Sequence, residues 1–108
     1  MTTPTYPIPI PLDAIAEFCK RNHIRKLSLF GSILRDDFGP DSDVDVLVEF
    51  EEGKTPGLEY FTMGDELSEL LGRRLDFLTE QGISRYFVAE VLAQARPLYV
   101  ARGTMLVQ

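Results

Sequence analysis

A small mixed β-sheet with helices packed on it, an α/β domain of the α+β kind, is the architecture this sequence predicts. Three observations carry the prediction. Short runs alternate in polarity as strands do, at residues 25–30 (RKLSLF), 43–50 (DVDVLVEF) and 73–80 (RRLDFLTE). Apolar residues recur at helical spacing between and around them. Turn residues punctuate the borders, at Gly31, at Gly39-Pro40 and in EEGKTPG at 51–57.

Taken in order, Pro4, Pro7, Pro9 and Pro11 make residues 1–11 an extended N-terminal tail or strap, and residues 12–108 form the folded domain. A first helix starts at Leu12, buries Ile15, Ala16, Phe18 and Cys19, and stops at Asn22. His23, the single histidine, lies at its end, where a protonated imidazole complements the dipole. The strand at 25–30 runs into a tight turn at Gly31 and a short helix near 32–37, which Gly39-Pro40 breaks. After the strand at 43–50, a helix at about 57–71 buries Leu58, Phe61, Met63, Leu67, Leu70 and Leu71, with Gly72 as its left-handed cap. A third strand at 73–80 carries Asp76 among apolar neighbours. The last helix, residues 84–95 with Ser84 as N-cap, precedes a final strand at PLYV. Phe87, Val88, Val91 and Leu92 on that helix fit either core or partner contact, and self-association stays open.

Composition bounds the function. A length of 108 residues and a 44% hydrophobic fraction fit one domain with a core. No apolar run approaches the ~20 residues of a spanning helix, and MTTPTYPIPIPLD lacks a basic start and an apolar signal core, so a cytoplasmic protein without membrane contact is expected. Cys19 has no second cysteine to pair with and reads as a buried thiol. A net charge of −6 argues against gripping extended nucleic acid. The acids crowd residues 36–52, a local field that favours divalent cations.

Chemistry concentrates in LFGSILRDDFGPDSDVDVLVEF. Glycine lets the backbone approach a polyphosphate, and free N–H groups at a helix start bind its charge. Beyond a ten-residue spacer after Ser32 stands Asp43-Val44-Asp45. Side chains alternate along a strand, so Asp43 and Asp45 share one face while Val44, Val46, Val48 and Phe50 take the other. Aspartate is depleted in strands and like charges on one face repel, a burden that a divalent ion with hard oxygen ligands relieves. A calcium-loop reading of the same acids fails, because its sixth position needs glycine and here is Val46.

With Gly31, Ser32, Asp43, Asp45 and a third acid, Asp76, on a later strand, the chain resembles the DNA polymerase β superfamily of nucleotidyltransferases over about residues 12–100. It is most similar to the minimal members that serve as antitoxins to HEPN-type toxins. The resemblance implies a polymerase-β-like nucleotidyltransferase fold for residues 12–108. It implies Asp43, Asp45 and Asp76 as catalytic and metal-holding residues for two Mg2+ ions. Gly31, Ser32 and Arg35 would bind the triphosphate of ATP. It further implies transfer of AMP to a hydroxyl, a tyrosine, of a small helical ribonuclease, whose RNA binding the added charge and bulk would block. Two positions depart from the family pattern: Leu34 replaces a small residue and Asp36 a glycine. Arg35 could therefore pair with Asp36 or Asp37 instead of phosphate, and Arg73 and Arg74 fit a plain surface role better than a phosphate contact. Two other functions stay open, neutralisation of a partner by binding alone and nucleotidyl transfer to a small molecule or RNA end.

Overall fold

The computed structural model describes residues 6–101. Before the first helix, residues 6–11 run extended, and Tyr6, Ile8 and Ile10 pack on the core while Pro7 and Pro9 face outward. This part of the tail is a strap, because prolines every second residue leave the residues between them all on one side. The expected Pro4 and the terminal stretch 102–108 lie outside the described residues.

Helix α1 spans Leu12–Arg21 and buries Ile15, Phe18 and Cys19. Asp13 in its first turn and Lys20 and Arg21 in its last complement the dipole. Asn22 ends it as expected, its Nδ2 donating to the Phe18 carbonyl at 2.8 Å. His23 then takes the left-handed backbone at φ 56°. The imidazole is half exposed, 3.8 Å from the Glu51 carboxylate, so the role of His23 at this junction is set by its backbone.

Strands β1 (Ile24–Phe30) and β2 (Val44–Phe50) pair antiparallel, β4 (Arg96–Val100) adds antiparallel to β1, and β3 (Leu75–Leu78) adds parallel to β2. The sheet order is therefore β3-β2-β1-β4, a mixed sheet as the sequence predicts. A single helix, α2 (Glu59–Leu71), provides the crossover that a parallel pair needs. One sheet face carries Leu27, Leu29, Val44, Val46, Val48 and Phe77 against Ile15 and Phe18 of α1 and Met63, Leu67 and Leu71 of α2. Each large side chain buried there contributes about 1.5–3 kcal/mol. The opposite face carries Asp45 and Asp76.

Four details differ from expectation. Leu58 and Phe61 do not belong to the buried stripe of α2: they are 83% and 71% exposed, because the helix begins at Glu59 and turns only Met63, Leu67 and Leu71 fully inward. The short helix after β1 is a single 3₁₀ turn, Gly31–Leu34, closed by the Arg35 N–H on the Ser32 carbonyl at 2.9 Å. The last helix, α3, is only Val88–Gln94, and its cap is Phe87. Ser84 instead accepts at its carbonyl from the Phe87 N–H, closing a turn one step earlier. Finally, the face of β2 shared by the acids is not uniformly acidic. Leu47 is buried there beside Ser28, where the 3₁₀ turn Glu80–Gly82 packs over β2 and shortens β3.

Cys19 is fully buried, and that burial pushes its thiol from 9.0 to about 12. Because the folded-state value lies above the unfolded one, the thiol's contribution is complete below pH 9 and declines as pH rises toward 12. Urea denaturation at pH 8 and pH 10.5 should show a steeper loss of stability for the native protein than for Cys19→Ala, and a thiol reagent should label Cys19 only after unfolding.

Candidate active site

The site is built by strand register. Phe30, the last residue of β1, lies opposite Asp45 of β2, and Asp45 is aligned with Asp76 of β3. Partners in register point the same way, so Asp45 and Asp76 stand side by side on the face opposite α1 and α2, one strand spacing of about 4.8 Å apart. Asp43 comes just before β2 rather than within it, and the Val44 N–H bonds the Arg74 carbonyl at 3.0 Å where the parallel ladder starts.

Gly31 follows directly on Phe30 and has φ 77°. A Cβ on this residue would fall far inside van der Waals contact of Asp45 Oδ2 and 3.1 Å from Asp45 Cγ. Glycine is required twice over, by the left-handed backbone and by the carboxylate lying on its Cα. In the turn after it Ser32 is half-buried and Arg35 exposed. Arg35 is close enough to oppose the upward shift of Asp45, yet its Nε also approaches Asp37 Oδ1 at 3.3 Å. Of the two sequence readings of Arg35, the pairing with Asp37 is the one seen in the structure.

The three acids are in electrostatic contact. Burial, followed by a hydrogen bond that the protonated Asp45 carboxyl donates to Asp76 and by the charges of Asp76 and Asp43, pushes the Asp45 carboxyl up to about 6. Asp43 Oδ1 is buried without a hydrogen-bond partner. Arg74 Nε lies 3.3 Å from it, close enough for an ion pair but not aligned to donate. Among the described residues, no three acidic, histidine or cysteine side chains converge on one point as they stand. Asp43 instead faces Arg74. The donor set nevertheless fits a divalent ion, with hard carboxylate oxygens, one of them a buried orphan, on adjacent positions of a rigid sheet.

Arg73 was not legible as a site residue, and its place is specific. Its guanidinium donates to the carbonyls of Gly39 at 2.8 Å, Pro40 at 3.2 Å and Ser42 at 2.6 Å, and it stacks on Phe38 at 4.6 Å. It therefore fixes the loop that delivers Asp43, with Nη2 bonding the three carbonyls while the planar guanidinium stacks on the Phe38 ring. The sequence signal was the arginine pair itself, which also reads as surface charge.

A pocket of about 470 Å³ runs along the β3 edge beside these acids, lined by Asp43, Asp76 and Arg74 and by the outer face of α2. No helix among the described residues is long and apolar enough to cross a membrane.

Comparison with known proteins gives a consistent picture. The profile of a family described as a nucleotidyltransferase domain matches residues 12–99. The protein adenylyltransferase MntA of Thermococcus cleftensis is 34% identical over 79 residues, 72% of this chain and 78% of that one. A solved structure provisionally assigned as a minimal nucleotidyltransferase superposes with a TM-score of 0.66 at 36% identity, covering 80% of this chain and 87% of the other. A chain from a toxin–antitoxin crystal structure with AMP-PNP shares the fold at a TM-score of 0.67 and 18% identity, covering 87% and 77%.

Replacing Arg73 by alanine should lower stability by about 2 kcal/mol in urea denaturation, since charged hydrogen bonds contribute about 1.5–3 kcal/mol each and are not additive, and Arg73→Lys should recover only part of it. Gly31→Ala should lower stability by about 1–3 kcal/mol from backbone strain alone, with the amide signals of Asp45 displaced in a heteronuclear NMR spectrum.

Proposed function

Because the chain belongs to the nucleotidyltransferase-domain family, we propose that it transfers AMP from ATP to a tyrosine hydroxyl of a HEPN-type ribonuclease toxin and so acts as its antitoxin. The observation that carries this reading is the register that aligns Asp45 with Asp76 and sets Asp45 on the Gly31 turn. A polyphosphate needs close backbone approach and positive charge, which Gly31, Ser32 and Arg35 supply on one side. A hydroxyl nucleophile needs a proton acceptor, which Asp76 supplies on the other.

In the reaction, the acceptor oxygen forms a bond to the α-phosphorus while the bond from that phosphorus to the bridging oxygen of the β-phosphate breaks. Pyrophosphate leaves, and the hydroxyl proton passes to the Asp76 carboxylate. Asp43, Asp45 and Asp76 would hold two Mg2+ ions, which when bound neutralise phosphate charge and stabilise the entering and leaving oxygens. Asp43 would then exchange Arg74 for the ion, whose charge would relieve the mutual repulsion of Asp45 and Asp76. Arg35 exchanges Asp37 for phosphate. The surrounding acids repel free nucleotide anions but favour a cation-bound one, so nucleotide is expected to bind as its magnesium complex. Such a reaction suits the cytoplasm, where ATP and a reduced thiol such as Cys19 both occur.

A second reading is favoured by the Arg35–Asp37 contact, which occupies the phosphate-side cation: the chain would neutralise its partner by binding alone. The two readings separate in one experiment. With labelled ATP, magnesium and the HEPN-type partner, label should appear on the partner, and Asp43→Ala/Asp45→Ala should lower the rate by about a hundredfold or more, since loss of metal ligands removes several kcal/mol of transition-state stabilisation. An unlabelled partner that the double variant still neutralises would support binding alone.

A further inference from the structure

Gly64 stands in the middle of α2, where glycine weakens a helix relative to alanine. Packing does not require it there. A Cβ on Gly64 would meet Phe77 Cβ at 3.5 Å and the ring at 3.9 Å, ordinary van der Waals contact, and its backbone is ordinary helix. What a methyl group would occupy is space in the pocket along β3, which Gly64 lines together with Phe61, Ser68 and Asp76. Phe61 lies one turn before Gly64 and is 71% exposed, an unusual position for a phenylalanine, its ring meeting that of Tyr60 edge-on at 6.0 Å. The Tyr60 hydroxyl, by contrast, is already engaged, donating to the Phe77 carbonyl and sealing the open edge of β3.

Position relative to the reaction identifies the occupant. The Gly31 turn lies at the β1 column and Asp76 at the β3 column, two strand spacings or about 10 Å apart across the sheet. In-line displacement puts the leaving and attacking oxygens on opposite sides of the α-phosphorus. If pyrophosphate departs on the Gly31 side, the acceptor arrives from the Asp76 side, through this pocket. We infer that the cleft along the β3 edge, which α2 lines from one sheet face and Asp76 borders from the other, is the acceptor subsite, receiving a phenolic side chain of the partner protein against Phe61, with Gly64 leaving room for the ring and the hydroxyl directed round the strand edge toward Asp76. This inference rests on the transferase reading and adds which residues select the acceptor.

Titration of the full chain with N-acetyltyrosinamide, followed by amide chemical shifts, tests the pocket without turnover. The wild type should show shifts at Phe61, Gly64 and Ser68. Gly64→Ala should raise Tm by about 4 °C, since it removes a helix-interior glycine, yet weaken binding of the probe about fivefold to tenfold. Phe61→Ala, whose side chain is largely exposed, should fold normally and weaken it similarly. Titration with AMP-PNP and magnesium should shift Gly31 and Ser32 equally in all three proteins. Absence of probe shifts at α2 would overturn the subsite, and so would AMP-PNP displacing the probe from Phe61 and Gly64, which would make the cleft a nucleobase pocket. If AMP-PNP leaves Gly31 and Ser32 unmoved in the wild type, it is the transferase reading that fails, and the tyrosine arm still decides the pocket.

Discussion

The carboxylate of Asp45 lies directly on the Cα of Gly31, and the rest of the site depends on that contact. It exists because β1 ends at Phe30 opposite Asp45, so the first residue beyond the strand must turn under a charged side chain. Any Cβ at position 31 would collide with it. A one-residue slip of β2 against β1 would remove the contact and turn Val44 and Val46 outward, so the same register that buries the valines also sets the carboxylate on the glycine. Fold and site are specified together, and the core pays no separate penalty for the site.

Electrostatics within this frame are balanced by temporary partners. Asp45 stands beside Asp76 with its carboxyl pushed upward, Asp43 faces Arg74, and Arg35 faces Asp37. Each contact is exposed enough, or imperfect enough in geometry, to be exchanged at small cost. Arg73 is different. Its three carbonyl partners and the Phe38 ring make it a fixed brace, so the two adjacent arginines divide between holding the loop and meeting the acid. The acidic surroundings, which make bare polyphosphate unwelcome, suit a ligand that arrives with its cation.

The sequence made much of this legible. Strand alternation gave the two faces of β2, and Gly31 and Gly72 were readable as positions of left-handed backbone because no other residue adopts it so cheaply. The alignment of Asp76 with Asp45 was not readable, because pairing register between distant strands leaves no local trace. Phe61 and Leu58 were misassigned to the core since helical spacing cannot reveal where a helix begins to face its sheet. The three-carbonyl brace of Arg73 depends on a loop contact thirty-four residues away, beyond any pattern in the chain. Leu47 was assigned to a polar face by alternation, and of the Glu80–Gly82 turn only Glu80 was read as the end of β3.

The convergence of the three acids on a cation beside the Gly31 turn is tested most directly by Mn2+ with AMP-PNP on the isotope-labelled protein, reading paramagnetic broadening of backbone amides. Broadening centred on Gly31, Asp43, Asp45 and Asp76, and abolished by Asp45→Asn, is the expected result. Broadening centred on the exposed acids of residues 49–52, or equal in the Asp45→Asn protein, would contradict it.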